Sequence, residues 1–176
     1  MIKTYKDLLK RVEKIKIDQN LDLSSGEDLS IGIMNLISIE EHLFFTYSKT
    51  KDKKYLELLD EVRLMRTTLM KEIVKNSEGE TWCLSKHLLA ASMRLMEVGT
   101  KELKKNNEKK AEDLFKKSYQ LYSLFWGLNL AKSGSVNSSS AGEINYLDEK
   151  GKKKGSVSVF TKLGALVQKA IDCCKE

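Results

Sequence analysis

The sequence has no proline, only three cysteines and no long apolar run among its 176 residues. Proline disrupts helix interiors more than any other residue, so its absence favours long uninterrupted helices. No apolar run approaches the roughly 18–20 residues that a membrane-spanning helix requires, and the charged start of the chain does not resemble a secretory signal. These absences predict a soluble, cytoplasmic helical protein without a membrane span.

The three cysteines are Cys83, Cys173 and Cys174. Their odd number does not suit a disulfide framework, and adjacent cysteines bridge only with strained geometry. A reducing compartment is therefore expected, in agreement with a cytoplasmic location.

The charge is mildly basic, because 31 Lys and Arg residues stand against 25 Asp and Glu residues. Local basic excesses occur in residues 101–117 and 150–154. Lysine outnumbers arginine, and lysine is less suited to bidentate recognition of phosphates and bases. Most charges are therefore expected to lie on solvated helix faces of mixed sign. Nucleic-acid binding through the two lysine-rich segments is an alternative.

Apolar residues recur at helical spacing in four long segments, separated by short polar turns. This spacing predicts helices over about 27–49, 53–75, 79–105 and 108–131. Helices joined by such short turns pack as antiparallel neighbours. The expected fold class is therefore all-α, with an antiparallel bundle of four long helices in residues 1–131.

Shorter elements are expected on both sides of this bundle. Residues 3–16 predict a basic amphipathic helix that packs on the bundle, with an acidic membrane surface as the alternative partner. Residues 132–160 read as a linker followed by a flexible loop or a small β-hairpin near 144–160. A C-terminal helix within 161–176 is expected to pack on the bundle, which makes the chain a single domain. The apolar face of the N-terminal helix would carry Tyr5, Leu8, Leu9, Val12 and Ile15.

A carboxylate, Glu40, interrupts the apolar stripe of the first long helix. A carboxylate that faces a core must be paired, metal-bound or protonated. Arg66 lies on the apolar stripe of the second helix and Arg63 flanks it, so a buried Glu40–Arg66 pair is the first expectation. A charged-ligand site and a rotation that leaves Glu40 in solvent are the alternatives. The stripe itself comprises Ile33, Leu36, Ile37, Leu43, Phe44 and Tyr47.

Cys83 and His87 stand four residues apart on the third helix, so a thiolate and an imidazole there point the same way. Together with His42 and the terminal cysteines, they are candidate ligands for zinc or iron. A buried Cys83 beside a His87 that makes an ordinary hydrogen bond is the simpler interpretation.

No segment shows a glycine-rich phosphate loop or a nucleophile with an evident oxyanion hole, so an enzyme is not expected. We expect a non-catalytic binding or adaptor protein that holds a protein partner, or a second copy of itself, in a groove between helices. A metal- or small-ligand-binding bundle is the first alternative, and a nucleic-acid-binding protein is the second. The aromatic and methionine residues expected in the core are Met93, Met96, Tyr119, Tyr122, Phe125 and Trp126.

Overall fold

The computed structural model describes residues 24–75 and 79–130, together with Gly164 and Val167. The two long ranges form four α-helices and contain no strand. The helices are α1 (Ser24–Thr50), α2 (Lys54–Ile73), α3 (Glu80–Lys104) and α4 (Glu108–Leu130). The four predicted long helices are thus confirmed, with ends within a few residues of the expected ones.

The predicted N-terminal helix and the predicted loop or hairpin lie outside the described residues. Of the predicted C-terminal helix, the structure describes Gly164 and Val167, and both are helical. Val167 is buried within the hydrophobic core. The carbonyl oxygen of Gly164 accepts a hydrogen bond of 3.2 Å from the Tyr119 hydroxyl of α4.

A short turn connects α1 with α2, and another connects α3 with α4. Each turn contains one residue in the left-handed backbone conformation. Lys51 has φ 59° between α1 and α2, and Asn106 has φ 58° between α3 and α4. At the second turn, the carboxylate of Glu102 accepts hydrogen bonds from Lys105 Nζ at 3.0 Å and Asn107 Nδ2 at 3.1 Å. The Lys105 hydrogen bond, as the main cause, lowers the pKa of Glu102. α1 therefore pairs with α2, and α3 with α4, as antiparallel hairpins.

Small residues at seven-residue intervals bring α3 and α4 close together. Ser92 Oγ donates to the Ser118 carbonyl at 2.9 Å, and Ser118 Oγ donates to the Ser92 carbonyl at 2.7 Å. A Cβ atom added at Gly99 would lie 2.6 Å from Cε1 of Phe115, so glycine is required for this approach. The α3–α4 hairpin is consequently a tightly packed unit.

The hydrophobic core occupies one end of the molecule, where α1 and α3 begin and α2 and α4 end. We call this the closed end, and we call the end with the two turns the open end. At the closed end, Tyr122 and Ser30 join the two hairpins by a buried hydrogen bond of 2.7 Å. A Cβ atom added at Gly26 would lie 3.0 Å from the Trp126 ring, so α1 and α4 also approach closely there. The core side chains are Ile33, Met34, Met70, Val74, Leu88, Leu89, Tyr122, Phe125, Trp126, Leu128 and Val167.

Several residues expected in the core are exposed instead. Phe44 is 53% exposed, and Met96 and Tyr119 are each 42% exposed. Helical spacing gives the direction in which a side chain points, but burial also requires a neighbour at that height along the helix. The two hairpins provide that neighbour at the closed end and not towards the open end.

Burial raises the pKa of the Tyr122 phenol above its usual value of 10.0. The unfolded chain therefore ionises first as the pH rises, and the stability that Tyr122 contributes below pH 10 declines as the pH passes its raised folded pKa. We expect the urea midpoint of unfolding to fall between about pH 8.5 and 11, and to fall less in the Tyr122→Phe variant. Equal declines in both proteins would contradict this assignment. The slope should not vanish in the variant, because burial also raises the pKa of Tyr119.

Candidate functional site

The structure places Glu40 and Arg66 in a bidentate ion pair between α1 and α2. Arg66 Nε donates to Glu40 Oε1 at 2.7 Å, and Arg66 Nη2 donates to Glu40 Oε2 at 3.2 Å. The Arg66 side chain is 2% exposed and the Glu40 side chain 16%. Both carboxylate oxygens thus accept hydrogen bonds within the hairpin, and the pair fixes the register of its two helices. Arg63 is exposed and is not part of this arrangement.

The candidate metal ligands His42, Cys83 and His87 are all exposed. The expectation of a buried Cys83 is therefore wrong, because the face of α3 that carries it is not covered by the α1–α2 hairpin. In residues 24–75 and 79–130, no group of three or more His, Cys, Asp or Glu side chains is arranged to hold a metal ion. Cys173 and Cys174 lie outside the described residues. A zinc or iron site stays a prediction.

Towards the open end, apolar side chains of α1 point to the second hairpin but remain exposed. Phe44 follows Gly26 by 18 residues, which is five helical turns, so it points in the direction in which Gly26 meets Trp126. Phe45 follows the buried Met34 by 11 residues, or about three turns. Both phenylalanines are 53% exposed, and their rings form an edge-to-face pair with centroids 5.3 Å apart.

The same loss of burial occurs on α2 and α3. Leu56 precedes the buried Val74 by 18 residues and points in its direction, yet it is 40% exposed. Met96 and Leu103 follow the fully buried Leu89 at seven-residue intervals, and they are 42% and 43% exposed. Apolar residues on the core-facing sides of both hairpins are therefore exposed at the open end. We call this group of residues the open cleft; it comprises Phe44, Phe45, Leu56, Met96 and Leu103.

An ion pair between the hairpins marks the inner limit of the open cleft. The Arg94 guanidinium of α3 hydrogen-bonds to the carboxylate of Glu41 on α1 and also to Glu97 Oε2 at 2.6 Å. Both partners of the inter-hairpin pair are about half exposed. Since exposed ion pairs contribute at most about 1 kcal/mol, this contact holds the hairpins together only weakly.

Lysines surround the open cleft at both turns. Residues 49–57 and 101–110 contain nine lysines and four acidic residues, which gives a net charge of +5. Asp52 pairs with Lys54 at 2.9 Å, and Glu102 pairs with Lys105 and Lys110. The open end thus combines exposed apolar side chains with two lysine-rich turns.

Sequence reasoning missed most of the open cleft. It assigned Phe44 and Met96 to the core, and it did not single out Phe45, Leu56 or Leu103. The lysine content of both turns was the one signal in the sequence for a separation of the hairpins at this end. Two basic turns repel each other when they are held close together.

Comparison of the chain with protein families, with curated proteins and with solved structures gives no match. None of the described helices is long and apolar enough to cross a lipid bilayer.

Proposed function

We propose that this chain is a non-catalytic binding protein whose open cleft holds an acidic amphipathic helix of a partner protein. The proposal rests on a difference in exposure between apolar residues that lie on the same helical faces at the two ends of the molecule. The buried core side chains of the closed end are at most 9% exposed, whereas the apolar residues of the open cleft, which lie on the same helical faces, are 40–53% exposed. Exposed apolar surface with a polar rim is typical of binding sites.

Shape supports a helix as the occupant. The apolar residues belong to both hairpins and lie on the helical faces that form the core at the closed end, so an object bound between the hairpins would contact both at once. An amphipathic helix has this form, and its apolar stripe recurs every three to four residues. A flat membrane surface would reach the turns but not the inward-facing Phe44 and Met96.

Charge supports an acidic partner. The two basic turns raise the local positive potential at the entrance, which favours the approach of carboxylates and disfavours a basic helix. The same lysines support nucleic-acid binding as the second candidate, since a duplex needs the positive rim and not the apolar walls.

We expect a fluorescent 18-residue peptide with leucines on one helical face and glutamates elsewhere to bind the full chain. Phe44→Asp should weaken this binding at least about tenfold, because it places a charge in the apolar wall. Leu64→Asp is the matched control, since Leu64 is 64% exposed and lies outside the open cleft. Fluorescence anisotropy measures both affinities.

A peptide with lysine in place of glutamate should bind more weakly than the acidic one. Absence of binding, or equal losses in Phe44→Asp and Leu64→Asp, would refute the proposal. An oligonucleotide that binds wild type and Phe44→Asp equally, while the acidic peptide does not bind, would support the second candidate instead.

A further inference from the structure

The α1–α2 hairpin has a second apolar surface on the side opposite the other hairpin. Ile39 follows Ser30 by nine residues, or half a turn beyond two full turns, so it points away from the Ser30–Tyr122 contact. Met65 precedes the buried Val74 by nine residues and is likewise opposite. Leu58 precedes Met65 by seven residues and shares its face. We call Ile39, Leu58 and Met65 the outer face; they are 44%, 50% and 54% exposed.

Gly32 provides room for another helix on this face. It precedes Ile39 by seven residues, in the interior of α1, where glycine is less favourable than alanine. Apart from its own stretch of helix, a Cβ atom added at Gly32 would meet no atom of the described residues within 4 Å. The contacts among the described residues therefore do not require glycine at this position, whereas close approach of a further helix would.

Acidic residues flank the outer face. Glu61 lies one turn before Met65 and Glu72 lies two turns after it, and both are exposed. Asp28 lies three turns before Ile39 and is also exposed. An apolar strip with acidic neighbours is complementary to a basic amphipathic helix.

We propose that residues 3–16 of this chain bind to the outer face as a helix antiparallel to α1. This segment has six basic and two acidic residues, which gives it a net charge of +4. Its apolar residues are Tyr5, Leu8, Leu9, Val12 and Ile15, which follow the spacing of a coiled-coil seam. The apolar stripe of this segment thus matches the apolar residues of the outer face, and its positive charge complements their acidic neighbours.

The connection is long enough for this arrangement. Residues 17–23 span up to about 23 Å when extended. A helix of 14 residues is about 21 Å long, and Ile39 lies about 22 Å along α1 from Ser24. After a reversal between residues 17 and 23, the segment reaches from the start of α1 to Ile39 and Met65. The outer face is separate from the open cleft, so the two proposals can fail independently.

Limited trypsin digestion of the full chain tests this proposal, because the segment contains six cleavage sites. We expect cleavage within residues 3–16 to be at least about tenfold slower than in the free peptide of the same sequence. Met65→Glu should raise the cleavage rate about tenfold by placing a charge in the contact. Leu64→Glu should leave it unchanged, because Leu64 lies two residues, or about 200°, from Arg66 and points away from α1.

Val12→Glu, in the segment itself, should have the same effect as Met65→Glu without altering the four described helices. Urea unfolding of each variant verifies that α1–α4 remain folded. Cleavage of wild type at the rate of the free peptide would overturn the proposal, as would equal rates in Val12→Glu and wild type. A cleavage rate that rises on dilution would assign the contact to a second copy and would also overturn it.

Discussion

Replacing Arg66 with methionine is expected to lower the free energy of unfolding by about 3 kcal/mol. The substitution keeps an unbranched side chain, about as long as the stem of arginine without its terminal guanidinium atoms, but removes both hydrogen bonds that Glu40 receives. The Glu40 carboxylate, whose side chain is 16% exposed, would then lie between α1 and α2 without its cation. Urea unfolding at neutral pH measures the loss.

The double variant Glu40→Met and Arg66→Met tests the cause. With both charges absent, the desolvation cost of the pair disappears and the apolar stripes of α1 and α2 become continuous. We expect the double variant to recover most of the stability that the single variant loses. A double variant as unstable as the sum of the two single variants would show that Glu40 and Arg66 are not energetically coupled, and would contradict this explanation.

Replacing Phe125 with alanine is expected to cost about 3–5 kcal/mol, whereas Phe44→Ala should cost less than about 1 kcal/mol. Both residues are helical phenylalanines on apolar stripes, and they differ in burial: Phe125 is 0% exposed and Phe44 is 53% exposed. Removal of the Phe125 ring leaves a cavity in the closed end. Removal of the Phe44 ring lowers the free energy of unfolding only slightly, because solvent already surrounds half of this ring.

Thermal and urea unfolding of the two alanine variants provide this comparison. Leu89→Ala, at a fully buried site of α3, should resemble Phe125→Ala. Similar losses for Phe44→Ala and Phe125→Ala would mean that the hairpins pack along their whole length, and the open cleft would then not exist in solution.

The helices could be predicted because their signals are local. Each combines an apolar stripe at helical spacing with a polar turn, and neither signal depends on the rest of the chain. Glu40 and Arg66 could be singled out as partners for a similar reason, since each is a charge on an otherwise apolar stripe.

The height at which the hairpins separate could not be predicted, because it depends on contacts between distant segments. Ile33 and Phe44 belong to the same stripe of α1, yet Ile33 is 0% exposed and Phe44 is 53% exposed. The difference arises from Tyr122 and Trp126, which approach the first half of α1 and not the second. Periodicity within one helix contains no information about such a partner.

Because the core lies at one end of the hairpins, a small change in the angle between them would have its largest effect at the other end. From Ile33 to Thr50, α1 extends about 25 Å, so a rotation of about 10° at the core would displace the turns by about 4 Å. Such a rotation repacks few side chains, and the exposed Glu41–Arg94 pair opposes it by at most about 1 kcal/mol. A binding site between the hairpins, as proposed above, would thereby accommodate partners of different thickness.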